Sequence, residues 1–280
     1  MKVRALDHED TPACVALGHT VGWDFSEADW SWMASLGHGY GVALAPLELV
    51  GAAIVFDFGA ELAMVAMLMV RPDHQRRGVG RALLSRVLED RAGPTALYAS
   101  EAGERLYRPM GFADAAASVR YEGAPICEEP VERRGLRPAT SDDLASIIAL
   151  DAEAQGANRG RLLTSLFDRR ESSWVLEDVA GRLSGFGIAT LDKGFRRLGP
   201  LVAEHDEDAT ALADALTLHD GVPIRLDLEP GEIALERWAE SADLTRGEVS
   251  PRLVHHGSSP RERMPGLRYK IRALAGRPFG

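Results

Sequence analysis

The stretch Gln75-Arg76-Arg77-Gly78-Val79-Gly80 combines two features that suit an anion. Glycine has no Cβ, so a ligand can approach the backbone at positions 78 and 80. The guanidinium groups of Arg76, Arg77 and the following Arg81 add positive potential and paired N–H donors. A solvated arginine turn would show the same residues, so the flanking elements decide between the two. Ahead of the stretch, ELAMVAMLMV has the apolar density of a buried central strand. Behind it, Val79, Ala82, Leu83, Val87 and Leu88 recur at helical spacing. The stretch therefore falls at a strand-to-helix turn, where the first N–H groups of the helix lack intrahelical partners and its dipole is positive. The pattern predicts a seat for a phosphate or pyrophosphate. It is not a Walker loop, because the GxxxxGK[ST] spacing is missing. Nor is it a dinucleotide fingerprint, since Leu83 stands where the third glycine belongs.

Other residues with chemical potential lie on either side. Tyr107, within AGERLYRPMGFADA, carries a phenol that could hydrogen-bond or protonate a developing anion, or could simply pack. The segment GWDFSEADWSWMASLGHG, residues 22–39, concentrates aromatic side chains beside carboxylates. Such a set could hold a cationic amine through cation–π and carboxylate contacts. Trp30 and Met33 are spaced as a core stripe, which leaves Trp23, Phe25 and Trp32 open. Asp24, Glu27 and Glu61 are candidate substrate-side carboxylates, with a solvated surface role as the alternative. His38 and His74 sit in polar turns and receive no role.

The bulk composition limits what these residues can serve. A chain of 280 residues has room for two domains, each with its own core. A net charge of −10 argues against non-specific nucleic-acid binding, which needs a basic surface. Cys14 and Cys127 have no metal-ligand spacing, so neither a disulfide framework nor a metal site is expected. No stretch reaches the roughly 18 apolar residues of a membrane span. The expected location is the cytoplasm.

The chain also repeats itself. VRALDHEDTPACVAL from Val3 parallels LRPATSDDLASIIAL from Leu136, each a short strand, a capping stretch and an amphipathic helix. In the second copy Ser141 is the expected cap, with Asp142 and Asp143 in the first turn. Residues 40–57 and 173–190 both read as hairpins, and each half reads β-α-α-β-β-β-α-β-α-β. The expected organisation is a first domain over 1–125, a linker over 126–135 and a second domain over 136–256. A basic tail over 257–280 is expected to be solvated and to close with one strand, LRYKIRAL.

Taken together, QRRGVG, its lead-in LMVRPDHQ and the later LYRPMGF resemble the Gcn5-related N-acetyltransferase (GNAT) family, across residues 1–122. QRRGVG fits that family's acetyl-CoA loop, Q/R-x-x-G-x-G/A. The layout is similar to bacterial tandem GNAT proteins of the YitH-like type. The resemblance implies an α/β (α+β) fold of two tandem GNAT domains, each a mixed, mostly antiparallel twisted sheet flanked by helices. In that fold the fourth strand splays from the fifth, and the pantetheine of acetyl-CoA fills the gap like an extra strand. The implied cofactor contacts are Leu68, Met69, Val70, Gln75, Arg76, Arg77, Gly78, Val79, Gly80, Arg81 and Ser100, with Tyr107 as the acid for the leaving thiolate. An N–H of Met69 or Val70 would polarise the acetyl oxygen. The second half resembles a domain that has lost this seat: Glu204, Asp206, Glu207 and Asp208 stand there instead. The implied activity is acetyl-CoA-dependent transfer of an acetyl group to a primary amine of a small molecule or peptide, by direct attack. The alternative is a non-catalytic acyl-CoA-binding sensor or regulatory module. Neither a metal, a nucleic acid nor a membrane is implied, and the chain is expected as a monomer or homodimer.

Overall fold

The computed structural model describes residues 1–45, 48–91, 93–125, 133–218, 220–255 and 269–280. Cys127, most of the expected linker, and Arg261, Arg263 and Arg268 of the tail lie outside them. The chain forms two compact units: Met1–Asp114 with Leu253–Ser259, and Ala115–Arg252 with Pro260–Gly280.

The first unit runs β1 (Arg4–Ala5), α1 (Thr11–Thr20), α2 (Glu27–Leu36), β2 (His38–Ala45), β3 (Glu48–Asp57), β4 (Ala63–Val70), α3 (Val79–Glu89), β5 (Thr95–Tyr98) and α4 (Glu101–Tyr107). Its sheet has the order β1-β2-β3-β4-β5, and residues 253–255 lie beyond β5. All its registered pairs are antiparallel except β4–β5. Helix α3 buries Val79, Leu83, Leu84 and Val87, the spacing expected of it, and Gly51 of β3 leaves room for that face.

The second unit contains β6 (Ala113–Gly123, from Ala115), β7 (Leu136–Pro138), α5 (Leu144–Gln155), α6 (Gly160–Asp168), β8 (Arg170–Glu177), β9 (Leu183–Asp192), β10 (Phe195–Ala203), α7 (Asp206–Thr217), β11 (Ile224–Leu228), α8 (Ile233–Ser241), β12 (Thr245–His255, to Arg252) and β13 (Lys270–Ala273). Its strand order is β12-β6-β11-β13-β10-β9-β8-β7. Each half thus has the repeated β-α-α-β-β-β-α-β-α-β order, and β13 is left without a counterpart.

Compactness does not follow the division expected from sequence. Strand β6 precedes the expected linker, yet it pairs with β11 from Ile224↔Gly123 to Leu228↔Val119 and so belongs to the second unit. The tail is a second departure. Ile271, Arg272, Ala273, Leu274, Ala275 and Phe279 are all buried, not solvated.

The duplication is visible in atomic detail at the start of each half. Arg4 grips Asp10 at 2.7 and 2.5 Å, and Arg137 grips Asp143 at 2.8 Å through both nitrogens. Each aspartate also accepts a backbone N–H three residues earlier, from Asp7 and Thr140. Thr140, rather than Ser141, is therefore the cap of the second copy; Ser141 is the first residue of a 3₁₀ turn that leads into α5. Among the described residues, no helix is long and apolar enough to cross a membrane.

The Arg137 guanidinium holds the Asp143 carboxyl down at about 2. A depressed carboxyl contributes stability that is present above its unfolded value and is lost as pH falls from about 4 to about 2. Arg137→Ala should cost about 1 kcal/mol at neutral pH, a modest figure because Arg137 is over a third exposed. Denaturant unfolding against pH should show the difference between wild type and variant shrinking as pH falls from about 4 through about 2; a difference undiminished below pH 2 would contradict it.

Candidate functional site

Strands β4 and β5 begin as neighbours and then part. They pair in parallel at Ala63↔Thr95 and Met64↔Ala96, and among the described residues at no later position. The cause lies in β4 itself. Against β3 its register passes from Ala66↔Ile54 to Met69↔Ala52, so β4 carries one extra residue. Met67 takes it up in the left-handed region, with φ of 52°. A bulge bends its strand and interrupts the ladder. Beyond it the β5-facing edge of β4 opens, and Ala66, Met67 and Leu68 become half-exposed where Ala63–Val65 are buried. Leu68, Met69 and Val70 all lie on this opened stretch.

The arginine-glycine turn stands at the open end. A 3₁₀ turn, Pro72–His74, leads from β4 into it. Arg71 fixes that turn through Asp73 at 2.8 Å and Glu48 at 3.2 Å. The Gln75 amide, though exposed, donates to the Val70 carbonyl at 3.2 Å at the strand end. Gly78 caps α3 in the left-handed region, with φ of 85°, and a Cβ there would meet nothing within 4 Å. It contributes no side chain to cap the helix, so no side chain there accepts from the first-turn N–H groups. Arg76, Arg77 and Arg81 are exposed around this spot and have no ion pair among the described residues. Gly80 is different. A Cβ on it would lie 2.9 Å from Leu106 Cδ2, so its small size also serves the packing of α3 against α4.

Helix α4 forms the far wall. Ser100 caps it, accepting from the Gly103 N–H at 3.2 Å. Tyr107 ends it, buried among Leu97, Leu84, Leu253 and Phe112, with Leu68 of β4 packed against the same cluster. Its ring lies 5.9 Å from that of Phe112. Burial pushes the phenol up to about 12, so it keeps its proton throughout the neutral range. Leu68 of the bulged strand, Leu84 of α3 and Tyr107 of α4 thus meet in one hydrophobic cluster of the first unit. Leu106, which sequence reading passed over, packs against the same cluster and against Gly80.

The residues expected on the acceptor side are scattered by comparison. Phe25 is buried, stacked on Trp30 at 5.6 Å and packed against Gly18, so it is core. Trp23 is 41% exposed, and Asp24 and Glu27 are also exposed. Glu27 lies in the first turn of α2, which Ser26 and Asp29 cap reciprocally. Glu61 is exposed in the turn before β4, at the end where β4 and β5 still pair. A cavity of about 670 Å³ also exists in the first unit, lined in part by Leu6, Trp30, Gly39, Tyr40 and Asp90. None of the turn residues or Tyr107 lines it. Cys14 is a buried thiol pushed up to about 12 by burial, inert as a nucleophile. Among the described residues, no group of three His, Cys, Asp or Glu side chains could hold a metal ion.

The corresponding turn of the second unit has the opposite character. Helix α7 begins with Asp206, Glu207 and Asp208, and His205 provides no side-chain cap. These acids are satisfied internally: Arg133 pairs with Asp208 at 2.6 Å and Glu207 at 3.1 Å, and Arg272 with Asp206 at 2.6 Å.

A family model described as an acetyltransferase (GNAT) domain matches residues 37–114, and a second of the same description matches 147–267. The N-acetyltransferase YitH of Bacillus subtilis is 22% identical over 91% of this chain and 92% of its own length. A mycothiol acetyltransferase of Clavibacter sepedonicus is 34% identical over 60% of this chain; the match spans 61% of that protein. In fold, a putative acetyltransferase from Pyrococcus horikoshii superposes with a TM-score of 0.81 at 20% identity, covering 100% of this chain and 95% of its own.

The left-handed cap has a cost that can be measured. Gly78→Ala should destabilise the chain by about 1 kcal/mol through backbone strain alone, since nothing crowds the added methyl. Urea unfolding measures this, and a variant as stable as wild type would contradict the left-handed geometry.

Proposed function

The chain belongs to the GNAT acetyltransferases, and on that premise we propose that its first unit binds acetyl-CoA and transfers the acetyl group to a primary amine of a small molecule or peptide. The observation that carries this reading is the opened edge of β4, which ends at an uncapped helix N-terminus ringed by three arginines. Unpaired backbone groups in a sheet interior call for a partner that can hydrogen-bond like a strand. The amide-bearing pantetheine arm meets that need along Leu68, Met69 and Val70. The diphosphate meets the N–H groups of Gly78, Val79 and Gly80, with Arg76, Arg77 and Arg81 supplying charge.

The chemistry follows from what these groups can do. A neutral amine attacks the thioester carbonyl, whose oxygen gains negative charge and accepts from the Met69 or Val70 N–H. The C–S bond then breaks as the amide forms, and the amine loses a proton to solvent. Tyr107 faces the departing sulfur in this reading. Its phenol, held protonated by burial, donates a hydrogen bond to the thiolate and supplies a route for its proton. Ser100 caps α4 and so positions Tyr107. The organisation proposed for the chain is a cofactor-binding first domain and a second domain of the same fold without a cofactor seat.

Acetyl-CoA titration by calorimetry and thiol release with a panel of amines test the proposal. Tyr107→Phe should leave the acetyl-CoA Kd within about twofold and lower kcat by about 100-fold, the usual size of one acid–base contribution. An unchanged kcat would reduce Tyr107 to a packing residue. Tight binding with no turnover of any amine would favour the sensor reading.

A further inference from the structure

The second unit contains the same splayed pair of strands, and its gap is filled. Strands β10 and β11 pair in parallel at Arg196↔Ile224, Arg197↔Arg225 and Leu198↔Leu226. Strand β10 then gains one residue against β9 between Leu198 and Leu201, at the position matching the β4 bulge. Beyond it, β13 lies between the two strands, antiparallel to both. It pairs Ala273 with Leu201, Ile271 with Val202 and Lys270 with Ala203 on one side, and Ala273 with Leu228 on the other. The Leu274 N–H extends the second ladder by donating to the Asp227 carbonyl at 2.9 Å.

We propose that this cleft is a strand-binding groove whose occupant is the chain's own segment 269–280, lying where the acyl-CoA arm would lie in the first unit. The proposal rests on the second unit alone and does not require the first to bind acetyl-CoA. Three features show a groove built for this strand. At its head, Arg272 donates to the Ala203 and Glu204 carbonyls at 3.2 and 2.7 Å, and to Asp206 and Glu232 at 2.6 and 2.8 Å. This places a buried cation beside the start of α7, the position at which α3 offers its N–H groups to an anion. At its foot, Arg159 donates to the Phe279 and Gly280 carbonyls while paired with Asp151 at 2.6 Å. Arg159 and Asp151 are fully buried, so the segment completes a polar network that would otherwise be left short of acceptors. In the middle, Gly199 at the β10 bulge has φ of 146°, and a Cβ there would collide with the Leu274 carbonyl. Glycine suits the positive φ, and its missing side chain is what lets the segment approach this closely.

The ligand class of this groove is therefore an extended peptide, recognised by backbone ladders, by carboxylates that accept from the peptide's own arginine at one end and by Arg159 at the other. The second unit excludes acyl-CoA by occupation, in addition to the acids at the start of α7.

Hydrogen–deuterium exchange on the full chain, with and without saturating acetyl-CoA, tests the assignment. Amides 270–274 and 201–203 should exchange at least about 100-fold more slowly than unstructured peptide, and added acetyl-CoA should leave them unchanged. Exchange at the unstructured rate, or acceleration on adding acetyl-CoA, would overturn the proposal. Arg272→Ala should speed exchange at 270–274 by at least about tenfold while any acetyl-CoA effect on amides 68–70 persists. A variant in which 270–274 stay fully protected would also count against the role given to Arg272. The response of amides 68–70 is read separately, so failure of the acetyl-CoA reading would not be mistaken for failure of this one.

Discussion

The backbone of a strand that leaves its neighbour in mid-sheet must find new hydrogen-bond partners, and both units of this chain impose that requirement on themselves. A one-residue bulge in β4 and its counterpart in β10 turn each strand away from the parallel strand beside it. In the second unit the gap is one strand wide, since β13 lies in it and pairs with both walls. What enters the gap decides what the unit can do. In the second unit the chain supplies β13 itself. In the first, β4 has no pairing with β5 beyond Met64 among the described residues.

Electrostatics at the adjoining helix follow the same division. Helix α3 starts at a bare glycine, with exposed arginines around it, and so can accept an anion. Helix α7 starts with three acidic residues, which suit its dipole and are paired with Arg133 and Arg272. Both helices bury an apolar face, yet the N-terminus of α3 has no side-chain cap, while the acids at the start of α7 are paired from within the chain.

The local parts of this account could be read from sequence, and the long-range parts could not. The QRRGVG turn, the helix after it and the repeated order of elements depend on residues close together in the chain. Strand β6 looked like the last strand of the first half because nothing local reveals that its partner is β11, about a hundred residues on. The tail misled for a related reason. Its arginines read as a solvated charge run, but Arg272 meets Asp206 and Glu232, carboxylates that are near it only in the fold. Phe25 stood among polar residues that suggested a binding surface, whereas its ring is committed to Trp30 and Gly18. At Thr140 and Ser141 two capping residues are adjacent, and only the geometry shows which one caps.

The most direct measurement is the electron density of a crystal of the full chain soaked with excess acetyl-CoA. The account predicts one ligand per chain, its pantetheine arm along Leu68–Val70 and its diphosphate at Gly78, with Lys270–Ala273 still paired to β10. Ligand density between β10 and β11, or none along β4, would contradict it.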